Sequence, residues 1–109
     1  MNRKSPAFYS FLPPERFPLK IWIIMIENRK RLGFVGIIIE DRDNSAPSVN
    51  KILSQHSELI LARTGLPHAR EHTAIITLVI DATTDELGLL TGKLGALDGV
   101  SVKSGLSKK

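Results

Sequence analysis

The chain has 109 residues, 42% of them hydrophobic, which is enough for one small domain with its own core. It has no cysteine, which excludes a disulfide framework, a thiolate metal site and a cysteine nucleophile and is compatible with a reducing cytoplasm. The net charge is +4, but residues 1–31 hold seven basic and two acidic side chains, whereas residues 32–109 hold eight basic and nine acidic. The body is therefore nearly neutral and lacks the basic surface of a nucleic-acid-binding domain.

The first 30 residues differ in composition from the rest, with five of the six aromatic residues and four of the six prolines. We therefore divide the chain into an N-terminal extension, residues 1–30, and a body, residues 31–109. Three interpretations of the extension are open: it packs one strand (Ile21–Ile26) on the body, it is a disordered tail, or it precedes a true start at Met25. Its apolar run Leu19–Ile26 is shorter than the roughly 18 residues needed to cross a membrane, so we expect no membrane association.

The first half of the body predicts a strand, a helix and a second strand. Leu32–Glu40 is almost entirely apolar, which suits a central strand buried on both faces. A polar loop follows at 41–45, and Pro47 then fits the first turn of an amphipathic helix over residues 47–57. Leu59–Thr64 predicts the second strand, which Gly65-Leu66-Pro67 should end.

The second half predicts the same three elements. Thr73–Asp81 alternates in hydrophobicity and predicts a strand with one strongly apolar face. Thr83 and Glu86 form a capping-box signature for a second helix, whose apolar stripe ends at Leu97. Val100–Ser104 predicts the last strand.

The order strand, helix, strand, strand, helix, strand predicts an α+β, ferredoxin-like fold with a four-stranded antiparallel sheet and two helices on one face. Right-handed crossovers place the first and third strands at the centre. The similar pentapeptides Ala62–Leu66 and Val102–Leu106, 40 positions apart, should then lie on opposite edge strands. The other face of the sheet would expose apolar side chains, so we expect a homodimer or higher homo-oligomer, formed by edge pairing or by face-to-face packing.

His68-Ala69-Arg70-Glu71-His72 matches the H-x-x-E-H zinc-protease pattern. That chemistry needs both histidines on one face of a helix, and here the motif leads directly into a strand. His68 and His72 therefore remain weak candidates for a metal, and we expect no cofactor.

Several polar residues lie where open sheets often bind ligands, at the end of the first strand and near the start of the first helix. Their charges could hold an anionic or zwitterionic molecule. Glycines on the second helix lower helix propensity and leave room for a neighbouring helix, a subunit or a ligand. No Ser/His/Asp set or paired carboxylates appear, so we predict no enzymatic activity. The candidate ligand-binding residues are Asp41, Arg42, Asn50, Arg63, Gly88, Gly92 and Lys103.

About three quarters of the chain, from about residue 30, resembles a known family. The similarity lies in Val35–Arg42, Val49–Ser54, Arg63–Pro67, Thr83–Glu86, Leu90–Gly95 and Gly99–Ser104. These segments resemble the small regulators of the iron-only hydrogenase system, which are ACT-like, ferredoxin-fold proteins related in shape to the C-terminal domain of the nickel-responsive repressor. The resemblance implies a homo-oligomeric ACT-like module described as a transcriptional regulator.

Two departures from the nickel-responsive repressor limit what the resemblance implies. The DNA-binding domain of that repressor has no counterpart in residues 1–30, where prolines interrupt any such pattern, and its metal site uses a cysteine that this chain lacks.

Our leading hypothesis is a cytoplasmic, non-enzymatic regulatory or small-ligand-sensing module that binds its ligand at an interface and acts through a partner protein. The alternative is a regulator that binds DNA directly with its basic N-terminal segment.

Overall fold

The computed structural model describes residues 18–108. Its elements are α1 (Leu19–Glu27), β1 (Arg31–Ile39), α2 (Arg42–Gln55), a 3-10 turn (Ser57–Leu59), β2 (Ile60–Arg70), β3 (Thr73–Ala82), α3 (Thr84–Gly95) and β4 (Val100–Leu106). The sheet has the order β2-β3-β1-β4, and every neighbouring pair is antiparallel. This confirms the predicted ferredoxin-like arrangement, with β1 and β3 at the centre and the two similar pentapeptides on the edge strands β2 and β4.

The core lies between one face of the sheet and the pair α2 and α3. Alternate residues of β1 and β3 point towards the helices, and each helix contributes an apolar stripe with helical spacing. Each fully buried aliphatic side chain stabilises the fold by roughly 1.5–3 kcal/mol relative to exposure. The core residues are Val35, Ile37, Ile39, Val49, Leu53, Leu59, Ala74, Ile76, Leu78, Ile80, Ala82, Leu87, Leu90 and Leu94.

The prediction that β1 is buried on both faces is wrong for the single chain. Phe34 and Ile38 point away from the helices and are 53% and 42% exposed. A continuous apolar run indicates two-sided burial in parallel sheets, where helices cover both faces. Here α2 and α3 pack on the same side, so the outward half of the apolar run lies on the surface.

Helix α2 begins at Arg42, so the predicted loop at 41–45 is wrong, and Pro47 lies inside the helix. The first turn closes before the proline, because the Ser45 N–H donates to the Asp41 carbonyl at 2.8 Å. The Asn44 side chain also donates to Asp41 Oδ2 at 2.8 Å. Pro47 has no N–H and therefore removes one backbone hydrogen bond from the helix. The hydrogen bonds of the turns before and after it keep the helix continuous.

Strand β2 continues to Arg70, so the prediction that Gly65-Leu66-Pro67 ends it is wrong. Its pairing with β3 is regular from Ala62 to Leu66 and shifts before Arg70. Pro67 falls within this shift on an edge strand, where its missing N–H removes no regular ladder bond.

The predicted strand at Ile21–Ile26 is wrong, because these residues lie in helix α1. The Trp22 N–H donates to the Pro18 carbonyl, and the Asn28 N–H to the Ile24 carbonyl. A helix satisfies these groups locally, whereas a strand would need a sheet edge. No helix within residues 18–108 is both long and apolar enough to cross a membrane. The other two interpretations of the extension remain predictions, since residues 1–17 lie outside the described residues.

The predicted capping box of α3 is confirmed. Thr83 Oγ1 accepts from the Glu86 N–H at 3.1 Å, and Glu86 Oε1 accepts from the Thr83 N–H at 2.8 Å. Lys30 Nζ lies 3.1 Å from the same carboxylate. The hydrogen bond from the Thr83 backbone and then that from Lys30 lower the pKa of Glu86 below its usual value of 4.5.

We expect Thr83→Ala to lower the free energy of unfolding by about 1 kcal/mol, because it removes a side-chain cap from α3. Urea denaturation followed by circular dichroism would measure the change. Thr83→Ser is the matched control, since it keeps the hydroxyl and should retain most of the stability. Equal losses in both variants would contradict a capping role.

We expect Glu86→Gln to make the protein less sensitive to acid. A carboxylate whose pKa is lower in the folded state than in the unfolded state stabilises the fold. This stabilisation is fully present at pH values above the unfolded-state pKa of 4.5 and is lost as the pH falls through the folded-state pKa. Glutamine keeps an acceptor for the Thr83 N–H but does not titrate. Urea midpoints from pH 7 to pH 3 should therefore fall more steeply for the unmodified protein below about pH 4.5. Parallel curves would contradict this contribution of Glu86.

Candidate functional site

A cavity of about 240 Å³ lies between α2 and the edge strand β2, close to the end of β1. Its floor is apolar, and its polar groups are two guanidinium groups and one amide. Strands β1, β2 and β3 and helix α2 all contribute to it. The lining residues are Ile39, Arg42, Ala46, Asn50, Arg63, Gly65, Pro67, Ala74, Ile75 and Ile76.

Arg63 connects the edge strand to α2. It pairs with Leu78 of β3, whose side chain is fully buried, so Arg63 projects to the face that the helices cover. Its Nη2 donates to Asn50 Oδ1 at 2.6 Å, a hydrogen bond strengthened by the positive charge. Arg63 forms no ion pair with any side chain that the structure describes. Most of its donors are therefore available to a ligand.

Arg42 approaches the cavity from the first turn of α2. Its backbone N–H donates to the His72 carbonyl at 2.9 Å, which anchors the start of the helix to the β2–β3 hairpin. Its Nη2 lies 3.7 Å from Asp43 Oδ1, a long and partly exposed ion pair. The buried Nε has no hydrogen-bond partner within the described part of the chain. Leaving a buried donor unpaired costs about 1–3 kcal/mol, so this guanidinium is incompletely satisfied.

The cavity is at the edge of the sheet, where β2 departs from regular pairing. Gly65 and Pro67 line it on either side of the point at which the β2–β3 register begins to shift. Ile75 and Ile76 are consecutive residues of β3 with side chains on opposite faces, and both line the cavity. The lining therefore includes one residue from each face of β3.

Three of the seven candidate residues meet at this cavity, namely Arg42, Asn50 and Arg63. Asp41 instead lies at the N-cap position of α2, where its side chain makes no capping hydrogen bond to the backbone and accepts one from the Asn44 side chain. Lys103 lies on β4, at the opposite edge of the sheet.

Gly88 and Gly92 are exposed on α3, away from the cavity lining. A Cβ built on either glycine meets no atom of the described residues within 4 Å, so none of the described helices packs closely there. The sequence alone does not identify the apolar floor of Ile39, Ala74 and Ile76, because those residues are indistinguishable from other core positions by hydrophobicity. Nor does it identify Gly65 and Pro67 as lining residues, since their pattern predicts the end of a strand.

The zinc-protease pattern is not on a helix. His68 lies in β2, and Glu71 and His72 form the turn between β2 and β3, where His72 has a φ of 62°. The His72 ring lies 3.6 Å from Asp43 and 3.7 Å from Glu71. Residues 18–108 contain no group of three or more histidine, cysteine, aspartate or glutamate side chains that could hold a metal ion. The pattern therefore does not form the helical zinc site that the chemistry needs.

Comparison with protein families gives a match over most of the body. The family model described as "TM1266-like: Iron-only hydrogenase system regulator, putative" matches residues 31–104. No protein with a curated description matches the sequence.

Solved structures show similar folds. TM1266 from Thermotoga maritima is 42% identical, with a TM-score of 0.69, and the match covers 73% of this chain and 100% of that one. The ACT domain from GTP pyrophosphokinase of Chlorobium tepidum is 23% identical, with a TM-score of 0.60, covering 70% and 99%. A formyltetrahydrofolate deformylase from Pseudomonas putida KT2440 is 8% identical, with a TM-score of 0.51, covering 72% and 29%. The last two show the fold alone, and together they confirm the predicted ACT-like, ferredoxin-like architecture.

Proposed function

The chain belongs to the TM1266-like family of iron-only hydrogenase system regulators, and on that premise we propose that it is a non-enzymatic, cytoplasmic regulatory module that self-associates through its sheet and senses a small ligand. The observation that carries this proposal is the apolar surface on the side of the sheet opposite α2 and α3. We call this surface the open face. Its large apolar members are Leu32, Phe34, Ile38, Leu66, Ile75 and Val79.

The open face is a continuous patch. Ile38 pairs with Ile75, and Phe34 pairs with Val79, so four of its apolar side chains are cross-strand neighbours on the two central strands. Between 37% and 53% of each of these four residues is exposed. Monomeric proteins rarely expose contiguous apolar patches larger than a few hundred Å², and larger patches mark interaction sites. Burying this patch is the driving force that we propose for assembly.

A second copy of this chain suits the open face. In a two-fold interface each patch contacts its own copy, so the patch must be complementary to itself. By strand pairing and alternation, the charged side chains on the open face are Arg70, Asp81 and Lys103, among apolar and hydroxyl residues. Charges of both signs allow a facing copy to pair acid with base, and the apolar residues of the two central strands require no charged partner.

The cavity supports a binding role and not a catalytic one. Its polar side chains, Arg42, Asn50 and Arg63, carry guanidinium and amide groups, which do not act as general bases or nucleophiles at neutral pH.

We also propose that the cavity communicates with the interface. Ile75 belongs both to the cavity lining and to the open face. If assembly repositions Ile75, a ligand that contacts it binds assembled and separated copies with different affinities, and by reciprocity changes their assembly.

We propose that the output, including any control of transcription, reaches the iron-only hydrogenase system through a partner protein. The nearly neutral body does not favour direct DNA binding. The alternative, DNA binding by the basic N-terminal segment, predicts a salt-dependent affinity that is lost when residues 1–31 are deleted.

We expect light scattering at micromolar concentration to show that the unmodified protein is a dimer or a larger assembly. Ile38→Asp should weaken this association at least about tenfold, because it places a charge in an apolar interface. Leu89→Asp is the matched control. Leu89 is 56% exposed on α3, so this substitution adds the same charge to the helical surface and should leave the mass unchanged.

Circular dichroism would show that both variants remain folded. A monomeric unmodified protein, or equal effects of the two substitutions, would contradict assembly through the open face.

A further inference from the structure

We propose that the cavity between α2 and β2 binds a small organic anion, with its charged group between Arg42 and Arg63 and its apolar part on the cavity floor. This inference rests on the proposed function, since it assigns a chemical class to the ligand of that site. It is carried by three properties of the lining: the sign of its charges, the apolar floor and the volume.

The charged groups of the cavity are all positive. Of its ten lining residues, two are arginines and none carries a carboxylate. One Arg63 donor is engaged by Asn50, and the remaining donors of that fork face no carboxylate in the described chain. The Arg42 Nε is buried and has no hydrogen-bond partner among the described residues, so the groups of this side chain that a ligand can reach are its terminal Nη groups, in a side chain that is 32% exposed. A carboxylate or phosphate suits these groups, because two of its oxygens can accept from two N–H groups of one guanidinium at once.

The floor of the cavity explains why the ligand should carry an organic part. Ile39, Ala74 and Ile76 line the cavity and are at most 6% exposed, so most of the apolar surface that a ligand could cover belongs to Ile75 and Pro67, which also line it. A bare inorganic anion would leave that surface in contact with water. A short aliphatic chain would cover it, at a gain of roughly 25 cal/mol for each Å² of apolar surface buried.

The volume limits the size of the ligand. A cavity of about 240 Å³ is smaller than the 300–1,000 Å³ typical of sites for drug-sized molecules. It therefore fits an acid with a few carbon atoms.

The lining also favours a simple anion over a zwitterion. An amino acid would place an ammonium group among residues that offer no carboxylate. The Oδ1 of Asn50 already accepts from Arg63 at 2.6 Å. Asp43 is the carboxylate beside Arg42, but it does not line the cavity. The ammonium group would lose its water and gain no charged partner, which is unfavourable.

Isothermal titration calorimetry of the full chain with four probes tests this inference. The probes are 4-methylpentanoate, its neutral amide 4-methylpentanamide, leucine and inorganic phosphate. The acid, the amide and the amino acid share one aliphatic chain, so they differ mainly in charge. We expect the acid to bind at least about tenfold more tightly than each of the other three probes. This is the difference in affinity expected when one hydrogen bond to a charged group is lost.

Substitutions locate the binding. We expect Arg63→Gln and Arg42→Gln each to weaken 4-methylpentanoate binding at least about tenfold. Arg70→Gln is the matched control, because Arg70 lies on the same strand but does not line the cavity. It removes the same charge from the protein and should leave the affinity unchanged. If Arg63→Gln unfolds the protein, Arg42→Gln provides the same test from the other side of the cavity.

The outcomes separate this inference from the proposed function. Equal binding of the amide, of leucine or of phosphate would overturn the organic-anion class, as would no binding of the acid or an equal effect of Arg70→Gln. Any of these results could occur while the protein assembles through its open face. A monomeric protein that still binds the acid through Arg42 and Arg63 would instead overturn assembly and retain the anion site.

Discussion

The four-stranded sheet has two faces, and α2 and α3 pack on only one of them. Antiparallel pairing of β1 with β3 places Val35, Ile37 and Ile39 beside the inward residues of β3, and the two helices close this layer into a dry core. Since strand residues alternate between faces, the same pairing places Phe34 and Ile38 on the outside. Both faces of the sheet carry apolar side chains, but the helices cover only one. The covered face therefore forms the core, and the other remains exposed as the open face.

The candidate ligand site depends on the edge of this sheet. Strand β2 pairs on one side only, so it can depart from β3 after Leu66 without breaking a second ladder. Helix α2 lies over this region and contributes Asn50, while β2 contributes Arg63. A hydrogen bond from the Arg42 N–H to His72 holds the start of the helix beside the hairpin. The irregular edge strand, the helix that lies over it and the hydrogen bond that holds the two together thus form a cationic cavity with an apolar floor.

Sequence reasoning predicted the elements whose signals are local and strong. The capping box at Thr83 and Glu86 defined the start of α3, and the alternation of Thr73–Asp81 gave the inward face of β3 correctly. It was wrong about where two elements begin or end, because tertiary contacts allow a proline inside each of them: Pro47 lies inside α2, and Pro67 lies inside β2. A proline costs one hydrogen-bond donor, which an anchored helix or an edge strand tolerates.

The sequence by itself determined the order of the elements of the body, their antiparallel topology, the near-neutral charge of the body and its family, because these depend on periodicity, composition and local motifs. Only the tertiary structure decided which polar residues meet. Arg42, Asn50 and Arg63 converge on one cavity, whereas Lys103 lies across the sheet and Gly88 and Gly92 face open space. The physical reason is that a binding site joins residues distant along the chain, and their separation is fixed by strand register and helix placement, which no local pattern encodes.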